Sequence, residues 1–156
     1  MNEFTAKKIG EVIAFAQVGN ATILKAKSAF SEFMAEDEVK NAISKSEKHI
    51  DALLAFATEK NIIDIVKSKA EKTGTKITSM RDAYIGDEWG NPAEIFEWWG
   101  FFGGGAIVHW NLLKGIAETI EDDVLAALTY DGIAYHESLY DSSSALLTEI
   151  GRNRAL

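Results

Sequence analysis

The chain has 156 residues, 47% hydrophobic and 26% charged, which suits one soluble domain (1–156) with enough chain to bury a real core. Its net charge of −8 argues against nucleic acid or an anionic membrane surface as the main partner, and no basic cluster overrides it. There is no cysteine, which excludes disulfides, thiolate metal sites and cysteine nucleophiles, and the single proline permits long uninterrupted helices.

No strand-like alternation of useful length, low-complexity segment or solenoid repeat is present. Residues 1–8 carry an early acid, Glu3, and no apolar run, so they do not read as a signal peptide, and a cytoplasmic location is the expectation. The first seam runs Ile9, Val12, Ala16, Gly19, Ile23, Ala26, Phe30, Phe33, in alternating steps of three and four. Its phase survives Gly19-Asn20, so one helix of about 4–35 is predicted, roughly 48 Å long at 1.5 Å per residue. Asn20-Ala21-Thr22 matches a glycosylation triplet but falls inside that helix and is discounted.

After a turn at Ala35-Glu36-Asp37, a second helix presents Val39, Ile43, Ser46, Ile50, Leu53 and Ala57, with Ala42, His49 and Phe56 along its edge. The short connection predicts antiparallel neighbours. A third helix starts at Asn61-Ile62-Ile63-Asp64, buries Ile62, Val66 and Ala70, and is expected to stop at Lys72 and Gly74, a cation and then glycine. Thr75 to Ile85 reads as a short helix burying Ile77, Met80 and Tyr84. In the loop Gly86-Asp87-Glu88-Trp89-Gly90, Trp89 is expected to fold back beside Trp98 or Trp99.

Asn91-Pro92-Ala93-Glu94 is a strong helix start: an N-cap, proline at the first position, and Glu three residues after the cap. The helix that follows holds three of the four tryptophans between 95 and 110, together with Gly100, Gly103, Gly104 and Gly105. One seam reads Ile95, Trp99, Phe102, Ala106, His109, Leu113, Ile116, Ile120, and a second reads Trp98, Phe101, Gly105, Val108, Leu112, Gly115. Two apolar faces and a glycine-lined third predict burial on all sides over 95–116. Each interior glycine costs roughly 1 kcal/mol relative to alanine, so close approach of another backbone is expected there. Glu97, His109, Asn111 and Lys114 interrupt any run of about 20 apolar residues, which argues against a membrane span. Acids at Glu118, Glu121, Asp122 and Asp123 suit the start of a last helix, which carries Leu125, Leu128, Gly132, Tyr135, Leu139, Ser142, Leu146 and Ile150. Thr129, His136 and Ser143 mark its edge, Asp141-Ser142-Ser143-Ser144 is a candidate break, and Arg152-Asn153-Arg154 a frayed tail.

Chemistry-bearing motifs are sparse. No phosphate loop, Gly-x-Gly-x-x-Gly or Gly-x-Ser-x-Gly elbow occurs; His136-Glu137-Ser138-Leu139-Tyr140 starts like a zinc-protease helix but ends in tyrosine. The Glu-x-x-His pair of di-iron bundles is also missing. Two constellations remain. His109, His136 and His49, with Glu97, Asp131 or Glu137, would form a metal or acid–base site if their helices converge, so a divalent metal is the candidate cofactor although no motif supports it. Alternatively, Trp98, Trp99, Phe102, Gly105, His109 and Tyr135 outline a cavity for a small apolar or aromatic ligand.

The sequence thus predicts an all-α, up-down bundle of four long helices with a short helical middle section, closing on a buried hairpin from 91 to 150. The apolar width of the central helix also predicts a homo-oligomer, most simply a dimer. The leading functional expectation is a non-catalytic protein that self-associates and holds a small apolar ligand beside the 95–113 helix. The alternative is a metal-dependent enzyme or metal-storage protein.

Overall fold

A computed structural model describes residues 1–155, and these form helices and turns with no strand among them. The helices are α1 (Glu3–Lys25), α2 (Lys27–Phe33), α3 (Glu36–Glu59), α4 (Ile63–Ile85), α5 (Pro92–Ile120) and α6 (Asp123–Arg154). Side-chain caps start several of them. Asn2 Oδ1 accepts from the Thr5 N–H at 2.9 Å, Asn91 Oδ1 from Ala93 at 3.2 Å, and Asp122 Oδ1 from Leu125 at 3.0 Å. At α3 the Glu38 carboxylate reaches back to the Ala35 N–H, 2.7 Å away.

Three boundaries differ from the sequence reading. The first helix is broken at Ala26, which leaves helical geometry at φ −99°, ψ 27°. One turn earlier Thr22 Oγ1 donates to the Val18 carbonyl at 2.7 Å, a back-bond of the kind that bends helices, and Arg81 reaches the same hydroxyl at 3.3 Å. Conversely, α4 runs straight through Gly74, so the short middle section is half of a 23-residue helix. α6 likewise passes through Asp141-Ser142-Ser143-Ser144 and holds its tail, where Arg154 donates to Asn91 Oδ1 at 2.9 Å. Five helices therefore exceed 20 residues, one more than expected. Gly74 has no positive φ and open space where a Cβ would stand. Gly74→Ala is accordingly expected to stabilise the protein by about 1 kcal/mol in urea unfolding; a loss would mean that the helix stops there.

The stretch enclosed on all sides lies on α1, not on α5. Residues 9–16 are buried without a gap, including Glu11, because α3, α4 and α5 all pack on α1. On α5, Phe101 (64% exposed), Val108 (62%) and Leu112 (41%) form an open stripe, so the second apolar seam is only partly covered. Its glycines are correspondingly unequal. Gly105 lies against the Phe15 ring, Gly100 and Gly103 face Ser143 and Tyr140 of α6 at ordinary distances, and nothing stands over Gly104. The close approaches occur elsewhere. A Cβ on Gly10 would fall 2.5 Å from the Val66 carbonyl oxygen, and one on Gly132 would enter the Trp110 indole.

Residue pairs give the directions of the chain. Trp110 meets Gly132, while the Gly103 and Gly100 positions meet Tyr140 and Ser143, so α5 and α6 are antiparallel. α1 and α4 run the same way, with Gly10 beside Val66 and Thr22 beside Arg81.

Burial also shifts by one helical edge. On α6 the buried residues include Thr129, His136 and Ser143, and on α3 they include Ala42, His49 and Phe56, the positions expected at the margins. On α4, Ile77 is buried as expected, whereas Met80 and Tyr84 are each 47% exposed and Arg81 is buried. Arg81 forks onto Asp82 at 2.8 and 2.9 Å. Trp89 does fold back, but between cations: Lys25 Nζ lies 3.8 Å and the Arg81 guanidinium carbon 5.2 Å from its ring.

Candidate functional site

Two polar clusters penetrate the bundle, on different sides of α5. The first arises where α1 carries a carboxylate through an otherwise apolar run. Glu11 is 8% exposed, with Lys8 Nζ at 2.9 Å and Lys69 Nζ at 3.1 Å. Burial works against its ionisation, but the hydrogen bonds from Lys8 and Lys69 outweigh that and leave its pKa below the usual carboxylate value. His109 completes the group from α5. Its Nδ1 donates to the Gly105 carbonyl at 2.7 Å, and its Nε2 stands 3.7 Å from Glu11.

Beside this cluster, α1, α4 and α5 enclose a cavity of about 350 Å³. The α5 wall is aromatic: Trp98, Phe101 and Phe102, with Gly105 leaving room for the Phe15 ring 4.6 Å from His109. The α4 wall places Lys69, Thr73, Lys76 and Met80 along one stripe, at steps of four, three and four, with Ile77 beside it. Trp98 is 2% exposed, yet its indole N–H has no acceptor among the described residues. Such an orphan donor is rare in a protein interior.

Of the six residues named for a ligand cavity, Trp98, Phe102, Gly105 and His109 border this one space. Trp99 does not. It packs edge-on against Phe30 at 5.2 Å and stacks on Phe102 at 5.4 Å, inside the core. Tyr135 lies on α6 and donates its hydroxyl to the Ala42 carbonyl at 2.8 Å; burial raises its pKa above the ordinary tyrosine value. Glu11, Phe15 and the α4 residues were not anticipated. The available signal was Glu11 itself, a lone acid inside Ile9-Gly10-Glu11-Val12-Ile13.

The second cluster joins α3 and α6 around Trp110. His49, 3% exposed, pairs through Nε2 with Asp131 Oδ2 at 2.7 Å, and Lys45 holds the other Asp131 oxygen at 2.7 Å. Those two hydrogen bonds, the Lys45 one first, lower the Asp131 pKa. His136 donates through Nδ1 to the Gly132 carbonyl at 2.8 Å, with its ring 4.9 Å from Tyr135 and 6.4 Å from Trp110.

The predicted metal-site residues are thus divided. His49 and Asp131 pair, and His136 is nearby, but His109 belongs to the Glu11 cluster. Glu97 stands at the surface, accepting from the Tyr84 hydroxyl at 3.3 Å. Convergence of His109 with His136 fails because their helical positions send them to different neighbours. Among the described residues, no three His, Asp or Glu side chains are grouped to hold a metal ion. Nor is any helix there long and apolar enough to cross a membrane. No protein-family model, curated protein or solved structure matches the chain.

Proposed function

We propose that this protein is a non-catalytic binder of a small apolar or aromatic molecule, held between α1, α4 and α5. One observation carries the reading: an aromatic-walled space of about 350 Å³ with a few polar groups gathered at one side. That volume is at the lower end of the usual range for ligand sites, and the mix of wall types is the usual one.

Self-association belongs to the same reading. The open stripe of Phe101, Val108 and Leu112 supports it, since three large apolar side chains on one face of one helix favour burial against a second copy. The metal-dependent alternative has less support, because the histidines are divided between two clusters.

The test is titration of the purified protein with small aromatic and medium-chain apolar molecules, following tryptophan emission and thermal unfolding. Ligands of about ten heavy atoms are expected to bind with Kd on the order of 100 µM, from about 0.5 kcal/mol per atom. Trp98→Phe should remove most of the emission change while binding persists by calorimetry. Light scattering across protein concentration reads self-association in the same samples. If no such molecule binds or raises the unfolding temperature, the cavity is only a packing defect.

A further inference from the structure

Taking that binding reading as its basis, we infer that the cavity selects an apolar molecule bearing a carboxylate, with the acid group on the α4 wall beside Lys76 and Lys69.

The polar groups lining the space are unbalanced. Lys69, Lys76 and Glu11 are the charged side chains around it, two cations to one anion, in a chain whose net charge is −8. The anion is already engaged. Both Glu11 oxygens have ammonium partners, Lys8 on Oε2 and Lys69 on Oε1, and His109 Nε2 stands 3.7 Å from Oε2. A cationic ligand would have to displace one of these to reach it. Lys76, by contrast, has no carboxylate within ion-pair distance among the described residues, and it lies one helical turn beyond Thr73 on the cavity stripe. Donors are in surplus, and the ligand that corrects this brings acceptor oxygens and negative charge.

The walls then fix its orientation. Phe15, Phe101, Phe102 and Trp98 offer rings to a flat or flexible apolar body, while Thr73 and Lys76 border the exposed side near Met80, which is 47% exposed. A carboxylate placed there keeps part of its hydration and gains a charge-assisted hydrogen bond, and the body leaves water.

Three probes of equal length separate the possibilities: octanoate, 1-octanol and octylammonium, titrated by calorimetry at low salt. Octanoate is expected to bind about tenfold more tightly than octanol, as one partly exposed charge-assisted hydrogen bond allows. Lys76→Met should remove most of that preference and leave the urea midpoint unchanged, since Lys76 is exposed and its apolar stem is retained. The preference should also shrink as salt is raised. Equal binding of octanoate and octanol would overturn the carboxylate assignment while leaving the cavity reading intact. Tightest binding of octylammonium would overturn it in favour of Glu11. A preference surviving both Lys76→Met and Lys69→Met would overturn the placement of the acid on α4. Binding by none of the three would overturn the cavity reading, and this inference with it.

Discussion

Gly132→Ala is expected to lower the unfolding free energy by about 2 kcal/mol, the reverse of what alanine does in an open helix. An ideal Cβ at this position would come within 2.6 Å of three atoms of the Trp110 indole. The indole cannot step aside easily. Trp110 is 1% exposed, with the His49 ring 5.4 Å away on α3 and the His136 ring 6.4 Å away on α6. Overpacking such a site costs about 1–3 kcal/mol. The upper end applies where the neighbours are rigid, and the helix propensity of alanine returns about 1 kcal/mol. Urea unfolding measures the net effect. In a Trp110→Leu background, itself destabilised by loss of the ring, the clash is gone and Gly132→Ala should turn from a cost into a gain approaching about 1 kcal/mol, because the two changes act on one contact. A neutral Gly132→Ala in the natural background would show that the α5–α6 hairpin does not close over this glycine. Gly74→Ala, with open space above it, is the matched control of opposite sign.

The second large effect is one of pH. Burial pushes the His136 pKa down from 6.5 to about 4; the Gly132 carbonyl works in the opposite direction, and the neighbouring His49 adds to the lowering. In the unfolded chain this imidazole takes up its proton near pH 6.5. Between those two values the unfolded state therefore binds more protons than the folded one, and stability falls as the pH falls. The loss begins below about pH 6.5 and levels off near pH 4. At about 1.4 kcal/mol per pH unit it totals roughly 3 kcal/mol. Asp131, the acid of the same cluster, contributes in a different window. Its pKa is depressed, so its stabilisation is present above the ordinary aspartate value and is lost only as the pH drops through the lower, folded one. Glu11 and Asp122, also depressed, act in that same acidic range. Urea midpoints at pH 7, 5.5 and 4.5 should thus decline steadily in the natural protein and much less in His136→Gln, which cannot take up the proton. If the decline is the same in both, another group carries the acid sensitivity.

The two effects share a cause. Gly132 supplies both the gap that Trp110 fills and the carbonyl that holds His136 Nδ1, so one turn of α6 sets the packing and the charge state of this end of the bundle. At the other end, Glu11 brings a carboxylate into α1 and draws Lys8 and Lys69 around it, while Lys76 lines the neighbouring cavity with no ion-pair partner among the described residues.

What the sequence determined by itself was local. The period of the α1 seam, the Asn91-Pro92 start and the Asp122 cap specify helices because caps and apolar spacing act within one or two turns. Trp98, Phe102, Gly105 and His109 could be picked as cavity residues for the same reason: one helical segment carries all four. Stop signals were less reliable. Gly74 and the Asp141-Ser142-Ser143-Ser144 run resemble ends, but tertiary packing along α4 and α6 outweighs a propensity cost of about 1 kcal/mol. The tertiary structure alone decided which helix is enclosed. Apolar width says how much surface needs cover, not where the neighbours lie: α1 and α5 each touch four other helices, yet residues 9–16 of α1 are buried without a gap while α5 keeps Phe101, Val108 and Leu112 open. It also decided the partners of the histidines, because a rotation of one helical position sends His109 to Glu11 and leaves His136 beside Trp110.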